Sequence, residues 1–229
     1  MSTDAKTLPK PYYDQDGIQI FHGDCREIVP LLEVGSVDCV VTDPPYGIKY
    51  VSGGGGHGLW INRSTGPIYG DDHPFDPSPW LAWPCLMWGA DHYKHSLPPG
   101  GTMLAWDKSV GRGPANSFVD CEFAWCSVPG IKRNVFRFLW KGVACMKAGE
   151  NHGRRRHPTQ KPEALMRWCI ELVSRRGDLV LDPFLGSGST LRAAKDLGRR
   201  AIGIEIELRY VEIAANRLAQ GVLPFGEDE

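Results

Sequence analysis

Asp178-Leu179-Val180-Leu181-Asp182-Pro183-Phe184-Leu185-Gly186-Ser187-Gly188-Ser189-Thr190, with Ala201-Ile202-Gly203-Ile204-Glu205 a short helix-length further on, decides the fold. An apolar run of strand length ends in an acid. A glycine-rich turn then opens a stretch that stops near Gly198, and a second apolar run ends in another acid. From about Leu208 to Ala219 the residues Tyr210, Val211, Ala214, Ala215 and Leu218 recur along one side, the period of a half-buried helix. Strand, glycine turn, helix, strand and helix make a βαβα unit of a parallel sheet, and predict an α/β, Rossmann-like fold. Open sheets of this kind bind ligands beyond the carboxyl ends of their strands. Gly186 and Gly188 let the backbone pass close to a ligand there, and Glu205 is placed for ribose hydroxyls.

Three ligands compete for that turn. A phosphate-binding P-loop needs a Gly-Lys-Ser/Thr ending, which is missing. A dinucleotide site needs a third glycine where Leu191 stands, and too little chain follows to complete a dehydrogenase. A nucleoside without a pyrophosphate, such as S-adenosylmethionine, suits the acidic opening Asp182-Pro183-Phe184 better, because like charges repel.

Upstream, the apolar run Val37–Thr42 reads as another buried strand, and it ends in Asp43-Pro44-Pro45-Tyr46. An acid and backbone carbonyls accept hydrogen bonds from an amino group, and a tyrosine ring stacks on a flat ring. This loop suits the exocyclic amine of a nucleobase. Pro162 predicts a helix start with Leu165, Trp168, Cys169, Leu172 and Val173 on one face. A short strand at Ile18–Phe21, a helix from Arg26 to about Leu32, a strand at Thr102–Trp106 and strand-like runs at Glu122–Val128 and Asn134–Trp140 complete the pattern. The tryptophan-rich segment from Pro79 to about Leu97 is expected to be mainly helical, and residues 47–77, with Gly53–Gly56, a long loop.

The chain of 229 residues is long enough for one large domain, expected to span 1–229. No apolar run is long enough for a membrane span, and the polar Met1–Pro11 lacks a signal-peptide core, which predicts a cytoplasmic protein. Seven cysteines without a CxxC pair argue against a disulfide framework. Cys121, Cys126, His152 and His157 fit no common zinc spacing, so no metal is expected. Net charge is −1, but it is unevenly spread. Residues 1–128 hold 8 Lys and Arg against 15 Asp and Glu, and residues 129–176 hold 12 against 3. A basic block within an acidic chain is either a solvated face or a surface for phosphates.

Asp43-Pro-Pro-Tyr46 together with Asp182-Pro-Phe-Leu-Gly-Ser-Gly-Ser-Thr190 resembles the amino-methyltransferases of DNA, and His157-Pro-Thr-Gln-Lys-Pro162 resembles a further motif of that family. The order, target loop first and cofactor loop last, is similar to the circularly permuted β group. The resemblance covers residues 17–50 and 157–218 well. It implies a Rossmann-like fold with a small basic insertion at 109–156, S-adenosylmethionine as cofactor and double-stranded DNA as partner. Asp43, Pro44, Pro45 and Tyr46 are the implied catalytic residues. Asp182, Pro183, Phe184, Gly186, Ser187 and Gly188 would lie against the methionine part of the cofactor, Glu205 at its ribose and Asp24 at its adenine. Thr159 and Lys161 would be further cofactor contacts, with a DNA phosphate as the alternative for Lys161.

An adenine amine is a poor nucleophile, because its lone pair is delocalised into the ring. Acceptors at Asp43 and the Pro44 carbonyl would localise that pair, and a positive methyl donor in line supplies proximity. The base must leave the duplex, at a cost of a few kcal/mol, and stacking on Tyr46 would return about 1–3 kcal/mol. Relatives that methylate cytosine N4 more often carry Ser in place of Asp43, so adenine N6 is favoured and cytosine N4 is the alternative. RNA or protein-glutamine methylation usually goes with the opposite motif order. A catalytically dead DNA-binding module is disfavoured by the intact motifs. Lys132, Arg133, Arg137, Lys141, Lys147, Arg154, Arg155 and Arg156 are the expected DNA contacts. The block is short for a recognition region. That leaves open a short recognition site, a homodimer, or a share of the work for the Gly53 loop with His57, Trp60 and Asn62. A bacterial or phage-infected cell and a cognate restriction endonuclease are the implied setting.

Overall fold

The computed structural model describes residues 7–49, 68–110, 120–140 and 160–219. Nine strands among them form one sheet: β1 (Tyr13–Gln15), β2 (Ile18–His22), β3 (Cys39–Thr42), β4 (Cys85–Trp88), β5 (Thr102–Asp107), β6 (Cys121–Cys126), β7 (Val135–Arg137), β8 (Leu179–Asp182) and β9 (Arg200–Glu205). Their spatial order is β1-β2-β9-β8-β3-β4-β6-β5-β7. β2, β9, β8, β3 and β4 run parallel, while β6 is antiparallel to both β4 and β5. The predicted α/β sheet is therefore present, with a reversed strand toward each edge, β1 at one and β6 near the other.

Alternation along each strand divides the core between the two faces. Ile18, Ile20, Val41, Leu86, Trp88, Leu104 and Val180 point to one face. Three helices cover it: α3 (Glu163–Val173), α4 (Ser189–Asp196) and α5 (Leu208–Ala219). Phe21, Val40, Met87, Leu181 and Ile204 point to the other, under the short helices α1 (Cys25–Ile28) and α2 (Ala90–Tyr93) and the buried Trp80. Pro162 sits one residue before α3, and its carbonyl accepts from Met166 N.

Two expectations need correction. The segment 79–97 is not mainly helical: between a 3-10 turn at Ser78–Trp80 and α2 lies the strand β4. Cys85 to Ala90 is buried throughout, so the run has no polar position to show a period. Backbone partners on both sides, β3 and β6, make it a central strand. Residues 120–140 fall inside the expected insertion 109–156, yet they contribute β6 and β7 to the sheet itself. The strand β1 was also missing from the expected pattern. Its signal is Asp16-Gly17, both at positive φ, closing a two-residue hairpin between Gln15 and Ile18. The Gly53–Gly56 loop with His57, Trp60 and Asn62, and Lys141, Lys147, Arg154, Arg155, Arg156 and Thr159, lie outside the described residues.

The neighbours β8 and β3 mark the place where the strand order reverses. From β8 the chain builds outward through β9, and from β3 it builds the other way through β4. Such a switch point opens a crevice at the carboxyl ends of the two strands. Asp182 ends β8 and Asp43 follows β3, one on each side of it.

Candidate active site

One pocket at this switch point is lined by Asp43, Gln160, Lys161, Met166, Asp182, Phe184, Leu185, Gly186, Ser187, Ser189 and Thr190. The ends of β3 and β8 are joined directly: Thr42 Oγ1 donates to Asp182 Oδ1 at 2.7 Å. Asp182 also accepts from Phe184 N at 3.2 Å, and burial pushes its carboxyl up to about 6, against its hydrogen bonds with Thr190 and Thr42.

The turn after β8 is shaped by its glycines. Gly186 stands at φ +52° and Gly188 at +82°, conformations that other residues avoid. Gly186 N donates to Glu205 Oε2 and Glu207 N to Glu205 Oε1, both at 2.8 Å, so Glu205 holds the turn from the end of β9. Burial pushes the Glu205 carboxyl up. Gly188 serves helix packing: a Cβ there would lie 2.8 Å from that of Ala214 on α5. Pro183 is buried. Phe184 lines the pocket and packs edge-on against Phe75 and Trp80. Asp24 is further along, where Gly23 N donates to the Glu205 carbonyl at 2.9 Å. Asp24 caps α1 through Arg26 N and pairs with the Arg26 guanidinium, whose hydrogen bond holds its carboxyl below the usual range.

The loop after β3 has no N–H at Pro44 or Pro45, and the next three all go to one atom. Tyr46 N, Gly47 N and Ile48 N donate to Asp71 Oδ1 at 3.0, 2.9 and 3.2 Å. Asp71 is buried, and this nest of amides around its carboxylate fixes the loop. The Tyr46 ring packs on Gly89, where any Cβ would collide with the ring edge, and stacks on His92 with centroids 5.0 Å apart. Its hydroxyl donates to Asp43 Oδ1.

Asp43 is thus not an open acceptor. Oδ1 takes the Tyr46 hydroxyl, and Oδ2 lies 2.5 Å from Lys161 Nζ. Lys161 also approaches the Tyr46 hydroxyl at 3.2 Å and Glu122 Oε2 at 3.3 Å. Burial pushes Asp43 up from the carboxylate range, with Lys161 opposing it. Burial works against the Lys161 charge too, but Asp43 and Glu122 outweigh it and hold the amine cationic.

The structure therefore gathers Asp43, Lys161, Asp182, Phe184, Gly186 and Ser187 around one pocket, with Glu205 adjoining it through Gly186 and Asp24 beyond. Sequence reasoning missed Asp71, Glu122, Thr42 and His92. Thr42 alone carried a signal, as the last residue of a strand that ends at a motif. Of the basic residues, Arg137 ends β7 beside Asp107, at the carboxyl end of β5 and so on the pocket's side of the sheet. Lys132 and Arg133 are exposed and precede β7, toward the opposite end.

The DNA methylase family matches residues 129–216. The Type II methyltransferase M2.DpnII of Streptococcus pneumoniae is 27% identical, over 92% of this chain and 93% of that protein. The Type II methyltransferase M.ScaI of Streptomyces caespitosus is 28% identical, over 93% and 85%. The solved M1.HpyAVI-SAM complex is 26% identical with a TM-score of 0.54, covering 89% of this chain and 100% of its own. The cytosine-N4-specific PvuII DNA methyltransferase shares the fold at a TM-score of 0.61 and 17% identity, over 95% and 92%.

Proposed function

We propose that this chain, which is similar to DNA methyltransferases along most of its length, methylates N6 of an adenine flipped out of duplex DNA. The observation that carries this reading is the meeting of Asp43 and Asp182 around one pocket, at the ends of neighbouring strands that lie far apart in sequence. An amine acceptor and a nucleoside site share a wall there.

The pocket's chemistry fits S-adenosylmethionine. Asp182 supplies a carboxylate for a cationic ligand, and Ser187, Ser189 and Thr190 supply hydroxyls. Among the described lining residues the one Lys, Lys161, already lies between two carboxylates, so nothing there is built for a triphosphate. When bound, S-adenosylmethionine supplies a methyl carbon on a cationic sulfur, which leaves as a neutral thioether. We assign Asp182, Phe184, Gly186 and Ser187 to its methionine end, Glu205 to its ribose and Asp24 to its adenine.

Asp43 and the Pro44 carbonyl accept the two N–H groups of the target amine and localise its lone pair. Asp43 also offers an acceptor for the proton that the methylated nitrogen gives up. Tyr46, fixed by Gly89 and by the amides on Asp71, offers its ring to the base. Asp43 in the position where cytosine-N4 relatives more often carry Ser supports adenine. On the same reading the protein works in a bacterial cytoplasm beside a cognate endonuclease; the bacterial source of its relatives supports the bacterial setting. Incubation with methyl-labelled cofactor and mixed-sequence duplex DNA, followed by nucleoside chromatography, tests the claim. Label in N6-methyladenine is expected, and label confined to N4-methylcytosine would sink it.

A further inference from the structure

Four charged groups form a row beside the pocket. Lys161 Nζ lies 2.5 Å from Asp43 Oδ2 and 3.3 Å from Glu122 Oε2, and Glu122 Oε1 lies 2.6 Å from Lys108 Nζ. The row crosses the sheet from the end of β3, through the segment before α3, to β6 and the residue after β5. Burial opposes the Glu122 charge, but Lys161 and Lys108 outweigh it and bring its carboxyl down to about 2. Glu122 is therefore a permanent anion at neutral pH. The other groups facing Asp43 are the Tyr46 hydroxyl and, less directly, Tyr93 and Asp182.

Lys161 rests where the target amine has to go. An ammonium and an amino group are both donors, and Asp43 Oδ2 is engaged by the first. The ammonium has a second carboxylate within reach. Its flexible four-carbon stem allows a shift between the two without moving the backbone, which is anchored by Pro162 at the start of α3.

Resting on the reading of Asp43 as acceptor of the target amine, we propose that Glu122 is a positioning residue that takes over Lys161 when the base enters. In the base-free protein the ammonium closes Asp43. With the base in place it stands on Glu122, and Asp43 is free to bind the amine. Lys108 keeps Glu122 ionised for that exchange. Without the charge at 122 the displaced ammonium would be buried without an anion, which is costly. Removing both members, Lys161 and Glu122, restores the balance and leaves Asp43 open.

The test uses the full-length protein and the variants E122Q, E122D and K161M/E122Q, with two readouts. Calorimetry measures affinity for S-adenosylmethionine, and single-turnover transfer of labelled methyl to duplex DNA measures base capture and chemistry. E122Q should lose about tenfold or more in transfer, while its cofactor affinity stays within about twofold, the pattern of a buried charge left unpaired at the acceptor side. E122D should recover most of the loss, and K161M/E122Q should transfer faster than E122Q. An E122Q rate equal to the wild type, or a double variant no faster than E122Q, overturns the role of Glu122. A wild-type protein that labels no DNA overturns the function itself, and the inference with it.

Discussion

Asp43 and Asp182 are both buried carboxylates at strand ends, but their partners set them to different work. Asp43 faces a cation and a hydroxyl, while Asp182 is held by Thr42, Phe184 and Thr190 with no cation among its named partners. Burial therefore raises Asp182 to about 6, well above the ~3.9 of an unfolded chain. The ionised Asp182 therefore costs the folded state above pH 6, and the cost fades as the pH falls toward ~4. The sign for ligand binding is opposite, because a cationic donor prefers the ionised form. Affinity for S-adenosylmethionine should therefore drop by about tenfold between roughly pH 7.5 and pH 5 in calorimetric titrations. Glu205, also raised by burial, acts in the same direction. D182N should bind more weakly at neutral pH and lose the part of the drop centred near pH 6. A wild-type affinity that does not change over this range would contradict the assignment.

At the scale of elements, the target loop is stiff because it has few donors and one acceptor takes those it has. Two prolines remove two N–H groups, and Asp71 collects the next three. D71A would leave those amides without their carboxylate, at about 2 kcal/mol or more of stability, read as a lower denaturation midpoint. Turnover should fall further than cofactor affinity, since Glu205 and not Asp71 holds the glycine turn. Equal losses in both would place Asp71 in the general fold. Asp71 shows where the sequence stops being legible. It lies in a stretch of Gly, Pro, Asp and His without a period, and nothing local tells a carboxylate that nests three amides from one in solvent. Elements with a period or a cap were legible: α5 and β9 follow their apolar patterns closely. β4 was not, because a fully buried run has no polar face to show which period it follows. Glu122 was hidden for another reason. Its partners Lys161 and Lys108 come from two other parts of the chain, and only the antiparallel placement of β6 brings them together.

Across the whole molecule, the strand order puts the target loop and the donor turn on either side of one crevice, although they stand at opposite ends of the chain. The motifs and their order were legible from sequence, and the geometry that joins them came from the sheet. The basic block is less uniform than its charge suggests. Arg137 is on the crevice side of the sheet and pairs loosely with Asp107 at 3.8 Å, whereas Lys132 and Arg133 lie toward the far end. R137A should therefore weaken DNA binding more than K132A or R133A, and lower the salt slope of log affinity by about 0.9 for each phosphate that is no longer neutralised. Filter binding across a salt series measures both, and equal effects from all three would assign the block to a diffuse field. Adenine methylation through Asp43 is decided by sequencing the modified bases in DNA from cells that express the wild type or D43A. N6-methyladenine in a defined sequence context is expected with the wild type, and its loss with D43A. Modified cytosine in its place, or adenine methylation that survives D43A, would contradict it.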